Sequence, residues 1–286
     1  MINGELELDG YAFGAGTAVA VLKLDPGEIG VRDQDIDSPV GDHRIFGRDY
    51  LSPPTWSFDL GVARTTEAAV LAELGVLASR WRTAASQIPG TESTLRYMVG
   101  NRVRRVYGRA RRSAMDPNRT LYQGFVSVAA RFATSDALHY EDEVRSVAVG
   151  LLAGVSGAHP LPAALPFTFA PGGPRSGVIS AVGGDAPAPV EVTFRGPVVG
   201  PSATVGGHLI AFPGLTLAYD ESVTVDTRRM TVTRGDGASL AGALSRRTYL
   251  PEVRLEPGSS EVVFSGSDLT GTASCTVAWR PAHYGF

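Results

Sequence analysis

The sequence predicts a mainly β protein of two domains with one long helix, and three observations lead to this prediction. Gly (34 residues) and Pro (19 residues) are abundant, and both weaken helix interiors while favouring turns. Short segments in which apolar and polar residues alternate recur along the chain, as they do in half-buried strands. Hydrophobic residues make up 43% of the 286 residues and charged residues 19%, which suffices for a sizeable packed core.

In the first half, strand patterns surround a single helical pattern. The apolar run Ala18–Leu24 predicts a buried strand, and Thr55–Leu60 alternates with Trp56, Phe58 and Leu60 on one face. The segment Thr66–Ala85 instead repeats apolar residues at spacings of three and four, which predicts an amphipathic helix. Its apolar stripe comprises Val70, Leu71, Leu74, Leu77, Ala78 and Trp81. Thr65 or Thr66 can cap its first turn.

Strand patterns resume after this helix. Leu95–Val99 and Val103–Arg109 flank Gly100-Asn101, a pair of residues typical of a tight hairpin turn. The polar segment Ala110–Arg119 contains Asp116-Pro117-Asn118 and predicts an exposed loop. Leu121–Thr134 predicts a long strand. The residues of one face of that strand are Val126, Val128, Ala130 and Phe132.

A change in composition predicts the domain boundary. Gly150–Gly173 is rich in Gly, Ala and Pro, has no clear periodicity and contains no Asp, Glu, Lys or Arg. We therefore expect a first domain over residues 1–155, a linker over 156–174 and a second domain over 175–286. Short alternating segments with turn residues between them predict an antiparallel β-sandwich for the second domain. The apolar residues of these segments are Val190, Val192, Phe194, Val223, Val225, Met230, Val232, Val262, Phe264, Ala273, Cys275, Val277 and Trp279.

No motif in the sequence predicts a catalytic, cofactor or metal site. Gly14–Val19 lacks the small final residue and the strand–loop–helix context of a dinucleotide loop. Asp33–Asp37 spaces its carboxylates like a calcium loop, but Ser38 and Arg44 stand where such a loop needs Gly and a bidentate Glu. His139 has acidic neighbours, and its context predicts a surface turn. Cys275 lies in an alternating strand and is predicted to be a small buried residue.

Bulk properties narrow the classes of partner and compartment. The net charge of -3 and the pI near 6.0 argue against general nucleic-acid binding. One cysteine allows no disulfide within the chain. The sequence shows neither a signal-peptide pattern nor an apolar stretch long enough to cross a bilayer, so we expect a protein kept in the cytosol or in an assembly built there.

The most marked charge feature is a run of arginines. It comprises Arg102, Arg104, Arg105, Arg109, Arg111, Arg112 and Arg119. In a strand over Val103–Arg109, Arg105 and Arg109 share one face, while Arg102 and Arg104 project from the other. Two interpretations remain open: contact with carboxylates of an adjoining subunit, or a solvated edge strand that its charge protects from aggregation. Contact with phosphates is disfavoured by the acidic net charge.

The succession of several segments resembles minor tail proteins of actinobacterial long-tailed phages, which are similar to the distal tail protein family. These segments are Gly41–Leu51, Trp56–Leu60, the helix ending near Trp81, Arg102–Arg112, Phe132 with Asp136 and Tyr140, Val223–Thr227, Met230–Val232, Leu255–Phe264 and Thr276–Pro281. The resemblance spans nearly the whole chain and lies in the order of the segments, since no single segment is diagnostic.

The resemblance implies an N-terminal belt domain that closes into a hexameric ring and a C-terminal galectin-like β-sandwich outside it. The ring would join the tail tube protein to the tail-tip hub protein and leave a channel for the tape measure protein and for DNA in transit. The virion would be assembled in the host cytoplasm. The arginine run would then contribute to the subunit interface, and no enzymatic activity is expected.

Two other functions compete with this one. The second domain could be a carbohydrate-binding adhesion module, with Tyr219, Tyr249 and Trp279 as candidate stacking aromatics, although Trp279 fits a core position better. A cell-wall hydrolase is the weakest alternative, because no pair of carboxylates is singled out by the sequence.

Overall fold

The computed structural model describes residues 1–82, 88–116, 121, 123–151 and 175–285. Over these ranges the protein is mainly β, with antiparallel sheets and one α-helix, which confirms the predicted fold class. The chain forms two compact units, Met1–Asp142 with Tyr284–Phe286, and Glu143–His283. This division lies before the expected boundary at residue 155, because Arg145–Gly150 pairs with Ser274–Trp279 inside the second unit. The expected linker, 156–174, lies outside the described residues.

The first unit is built on one curved antiparallel sheet. The strands of the first unit are β1 (Glu5–Leu8), β2 (Tyr11–Gly14), β3 (Val19–Asp25), β4 (Gly30–Arg32), β5 (Ile36–Asp37), β6 (Arg44–Ile45), β7 (Tyr50–Ser52), β8 (Thr55–Ala63), β9 (Ser93–Val99), β10 (Arg102–Asp116), β11 (Phe125–Thr134) and β12 (His139–Glu141). The main sheet has the order β2-β1-β9-β10-β11-β8-β3, and β12 also pairs with β10. The edge strands β2 and β3 come into contact, so the sheet curls around the core.

Helix α1 (Glu67–Trp81) closes the core of the first unit. The Thr66 hydroxyl accepts a hydrogen bond from the Ala69 amide at 3.3 Å, which confirms the predicted cap. Trp81 meets Phe13 and Phe58 edge to face, with ring centroids 6.1 and 5.8 Å apart. These contacts between aromatic rings add to the burial of their apolar surface. The predicted end of the helix at Ala85 lies outside the described residues.

Two predictions for the strands of the first unit are wrong in part. The predicted loop over Ala110–Arg119 is a strand up to Asp116, because β10 continues to that residue and pairs with β11. The sequence did not predict this part of the strand. Both of its faces are largely exposed beyond Ala110, so its residues are mostly polar and show no apolar alternation. The apolar run Ala18–Leu24 does form a strand but is not buried as a whole. Only Val19 is fully covered, because β3 is an edge strand whose sheet partner is β8 alone among the described strands.

The second unit is an antiparallel β-sandwich, as predicted. Its strands are β13 (Arg145–Gly150), β14 (Arg175–Ile179), β15 (Ala188–Arg195), β16 (Val198–Val205), β17 (His208–Ala211), β18 (Thr216–Leu217), β19 (Ser222–Asp226), β20 (Thr231–Arg234), β21 (Arg254–Leu255), β22 (Ser260–Ser267), β23 (Ser274–Trp279) and β24 (Ala282–His283), with short 3-10 helices at Ala241–Ala243 and Leu250–Glu252. One sheet has the order β13-β23-β15-β19-β20, and the other β14-β22-β16-β17.

Aromatic and small apolar residues fill the space between these two sheets. The rings of Phe194 on β15 and Phe264 on β22 lie 6.0 Å apart, and Phe212 meets Phe194 edge to face at 5.8 Å. Cys275 is buried as predicted, and burial raises the pKa of its thiol to about 12. Trp279 is also a core residue, and its indole Nε1 donates to the Val182 carbonyl at 3.0 Å.

We expect Leu77→Ala on α1 to destabilise the first unit by about 2–5 kcal/mol, because it opens a cavity where the side chain is only 1% exposed. Leu71→Ala on the same helix is the matched control, since Leu71 is 46% exposed and its loss should change stability by less than about 0.5 kcal/mol. Differential scanning calorimetry of the two variants checks this. Equal shifts in melting temperature would contradict the described packing.

Candidate subunit interface

The predicted arginines fall into two groups along β10. Arg104, Arg105 and Arg109 use their guanidinium groups within the first unit. Arg102, Arg111 and Arg112 are exposed and have no ion pair with another described residue. Arg119 lies outside the described residues. The predicted alternation holds, since Arg104 faces the core while Arg105 and Arg109 share the opposite face. The run is therefore not one uniform surface.

Arg105 belongs to an ion-pair network on one face of the sheet. Glu7, Arg96 and Arg105 are direct cross-strand neighbours on β1, β9 and β10. Arg96 Nη1 donates to both Glu7 carboxylate oxygens at 2.9 and 3.0 Å. Asp142 accepts from Arg96 Nη2 at 2.6 Å and from Arg105 Nε at 3.0 Å. Asp142 therefore compensates the repulsion of two arginines placed opposite each other.

This network changes the pKa of both partners. Burial raises the pKa of Asp142, but the hydrogen bonds from Arg96 and Arg105 outweigh that effect and leave it below its ordinary value. The hydrogen bond to Asp142 raises the pKa of Arg96 above its already high value. Both groups are thus held in their charged forms, as a structural ion pair requires.

Arg104 belongs to a second, buried polar cluster. Its Nη1 donates to the Gly285 carbonyl, and it hydrogen-bonds the Tyr97 hydroxyl. That hydroxyl lies 2.5 Å from His139 Nδ1. Burial raises the pKa of Tyr97, and nearby Arg104 only partly opposes the shift. The prediction of a surface turn at His139 is wrong, because its ring is 5% exposed and packs beside Trp56 and Tyr97.

Arg111 and Arg112 lie at a β-bulge that the sequence did not reveal. The register between β10 and β11 shifts between Ala110 and Ser113, so that both arginines lie opposite the single residue Arg131. All three side chains are exposed. We call Arg111, Arg112 and Arg131 the arginine bulge. Sequence reasoning missed Arg131, because it lies within an otherwise apolar strand and only the register brings it to the other two.

A second exposed feature is the segment between β3 and β8. We call residues 26–54 the arm. Within the described chain, β4 pairs only with β7 and β5 only with β6, so the arm is a two-stranded ribbon. Pro54 is its one buried residue. Its exposed large apolar side chains are Val31, Ile36, Val40, Ile45, Phe46, Tyr50 and Leu51.

The arm cannot owe its stability to its own packing. A lone two-stranded ribbon is marginally stable in water, and contiguous exposed apolar side chains mark surfaces that bind another molecule. Val40 is 81% exposed and Phe46 80%. Arg32 and Arg48 lie over the Tyr50 ring, 6.0 and 5.5 Å from its centroid, and shield part of it. The remaining apolar surface is available to a partner.

The second unit has fewer surface features that could bind a partner. Tyr219 and Tyr249 are exposed, as the carbohydrate-binding alternative requires, but Trp279 is buried. A groove of about 350 Å³ is lined by Thr204, Gly206, Gly207, Glu256, Ser259, Ser260, Glu261 and Val263. None of these lining residues is aromatic, so the groove provides no platform on which a sugar ring could stack. Carbohydrate binding stays a prediction from the sequence.

Among the described residues, no group of three or more His, Cys, Asp or Glu side chains could hold a metal ion. No helix in the described ranges is long and apolar enough to cross a membrane.

Solved structures similar to this chain include a phage Dit protein and chains of a phage baseplate. No protein-family model matches the chain, and no curated protein matches it. The chain is similar to the phage SPP1 Dit protein, described as a paradigm of the hub adsorption apparatus in phages that infect Gram-positive bacteria. The TM-score is 0.61 at 13% identity, over 97% of this chain and 98% of that chain.

Two further structures show the same likeness. The baseplate of phage P2 in its activated conformation with Ca contains a chain similar to this one, with a TM-score of 0.54 at 10% identity over 96% of this chain and 97% of that chain. The form with Sr gives 0.53 at 10% identity, over 96% and 97%. At these identities the likeness establishes the fold, and it extends over both units.

We expect Asp142→Asn to destabilise the first unit by about 1–2 kcal/mol at neutral pH, because two charge-assisted hydrogen bonds weaken. The folded-state pKa of Asp142 is lowered, so its contribution is complete above the unfolded value of about 3.9 and is lost as pH falls below that value. The difference in melting temperature from wild type should therefore shrink on acidification.

Glu143→Gln is the control for that substitution, because Glu143 is exposed and adjacent in the chain. It should leave the melting temperature nearly unchanged. A difference between Asp142→Asn and wild type that stays constant from neutral to acidic pH would show that the ion-pair network does not stabilise the fold.

Proposed function

We propose that this chain is a non-catalytic structural subunit of a phage tail tip, where copies assemble head to tail into a closed ring. The arm carries this proposal, because it exposes seven large apolar side chains that the described residues leave uncovered. The fold supports it, since the similar SPP1 Dit protein is described as part of a hub adsorption apparatus.

Symmetry explains why such an arm favours a ring. The arm and the surface that receives it are different, so each copy can donate one and accept another. A repeated contact of this heterologous kind closes into a ring when its rotation divides a full turn, and otherwise grows into a filament. An assembly that joins two parts of a tail must have a fixed size, and closure of the ring fixes the number of copies. Six copies is the number we expect.

The proposal places the ring between the tail tube protein and the tail-tip hub protein. Its channel would pass the tape measure protein and then DNA, without holding either. The protein would reside in the virion tail and reach it by assembly in the host cytoplasm. An actinobacterial host stays a prediction from the sequence resemblance. The support for a structural role is the uncovered arm together with the fold.

We expect Val40→Ser combined with Phe46→Ser to abolish assembly without unfolding the chain, because both side chains are largely exposed in the isolated chain. Sedimentation velocity should show a ring-sized species for the wild type and a monomer for the variant. Both should have the same melting temperature at low concentration.

The matched control is Val178→Ser combined with Leu269→Ser. These side chains are about as exposed but lie in the second unit, far from the arm in sequence. They should leave assembly intact. A wild-type chain that stays monomeric at high concentration and is absent from tail tips would refute the proposed function.

A further inference from the structure

The three side chains of the arginine bulge carry like charges that repel one another in the isolated chain. Like charges directly opposite each other on neighbouring strands are destabilising, and here two arginines share one opposing arginine. In the network around Asp142, the opposed arginines Arg96 and Arg105 have a carboxylate between them. The arginine bulge has no such carboxylate among the described residues.

The described neighbours of the arginine bulge do not supply an anion. Arg109 precedes it and donates to the Thr91 and Ile88 carbonyls. The residue opposite Arg131 on β8 is Ser57, and Asp25 on β3 lies one strand further. Asp59 pairs with Ala129 on β11 and with Lys23 on β3, beside a cation of its own. The bulge therefore presents a compact positive surface.

The arm carries the opposite charge. Asp35 accepts from the Gly47 amide at 3.1 Å, and Asp37 pairs with Arg44 at 2.9 Å, so these two are used within the arm. Asp33, Asp42 and Asp49 are exposed and have no ion pair with another described residue. These three carboxylates accompany the exposed apolar side chains along the arm, so the arm offers apolar contact and negative charge together.

We propose that the arm of one copy binds the arginine bulge of a second copy, with Asp33, Asp42 and Asp49 neutralising Arg111, Arg112 and Arg131. This inference rests on the proposed function, because it names the two surfaces of the head-to-tail contact. Charge-assisted hydrogen bonds from arginine to carboxylate are among the stronger polar contacts, and complementary charge also fixes the register of an interface. The apolar side chains of the arm would supply the buried area around them.

A second copy fits the arginine bulge better than DNA does. The chain is acidic overall, with a net charge of -3, and its own arm carries exposed carboxylates that have no ion pair with another described residue. A channel that DNA must pass through gains nothing from a cluster that holds phosphates tightly. Binding of DNA is nevertheless a measurable outcome of the experiment below.

The test reverses the charges on each side. The bulge variant is Arg111→Glu, Arg112→Glu and Arg131→Glu, and the arm variant is Asp33→Lys, Asp42→Lys and Asp49→Lys. Each variant alone should associate at least tenfold more weakly than wild type, because like charges then face each other. An equimolar mixture should reassemble, since the reversed arm fits the reversed bulge and the two native surfaces still fit. One chain with all six changes should also assemble.

The controls separate this inference from the function on which it rests. Arg175→Glu, Arg246→Glu and Arg247→Glu change three exposed arginines of the second unit and should leave association unchanged. Circular dichroism checks that every variant is folded. Sedimentation velocity at low and high salt measures association, which should weaken with salt for the wild type.

The outcomes differ for the two hypotheses. A wild type that assembles while both reversed variants assemble equally well would overturn the pairing and leave the ring in place. Two weakened variants that neither mixing nor combination rescues would also overturn it, because the arm would then bind elsewhere. Double-stranded DNA that binds wild type, but not an otherwise normally assembling bulge variant, would assign the arginines to DNA. A monomeric wild type would refute the ring itself.

Discussion

Burial of aromatic rings between α1 and the curved sheet is the interaction on which the first unit depends. Trp81, Phe13 and Phe58 meet edge to face, and strands β1, β8, β9 and β11 add the apolar residues around them. This core is complete without the arm, whose residues are almost all outside it. A chain that closes its core and still exposes Val40 and Phe46 has apolar surface left for another molecule. This exposed apolar surface is the basis of the proposed assembly.

The arginines of β10 have different surroundings before and after Ala110. Before it, Arg104, Arg105 and Arg109 have partners within the unit, and these contacts hold the sheet, the Gly285 carbonyl and the Ile88–Thr91 turn in place. After it, β10 has only β11 beside it among the described strands. Neither interpretation that the sequence left open, contact with an adjoining subunit or a solvated edge strand, describes Arg104, Arg105 and Arg109, which bond within the unit. Contact with an adjoining subunit stays a prediction for the exposed Arg111 and Arg112.

Much of the fold could be predicted from residue patterns, because alternation and helical spacing report directly which residues face a core. Trp56 and Phe58 on β8, Val192 and Phe194 on β15, and Val70, Leu77 and Trp81 of the α1 stripe are buried as expected, whereas Leu71 of that stripe is exposed. Contacts between distant segments could not be predicted. His139 is buried because Tyr97 and Trp56 meet it, and Arg131 joins Arg111 only through the register of β10 and β11. The exposure of the arm was equally hidden, since Ile36 and Phe46 are residues that usually fill cores.

Hydrogen–deuterium exchange of the full-length chain at increasing concentration tests the central claim most directly. Amides of the arm should exchange fast in the dilute protein, because a lone ribbon is marginally stable. Their protection should rise together with that of residues 110–116 as the chain assembles, while the core strands stay protected throughout. Assembly that leaves the arm unprotected, or protection of the arm in a chain that never assembles, would contradict the account.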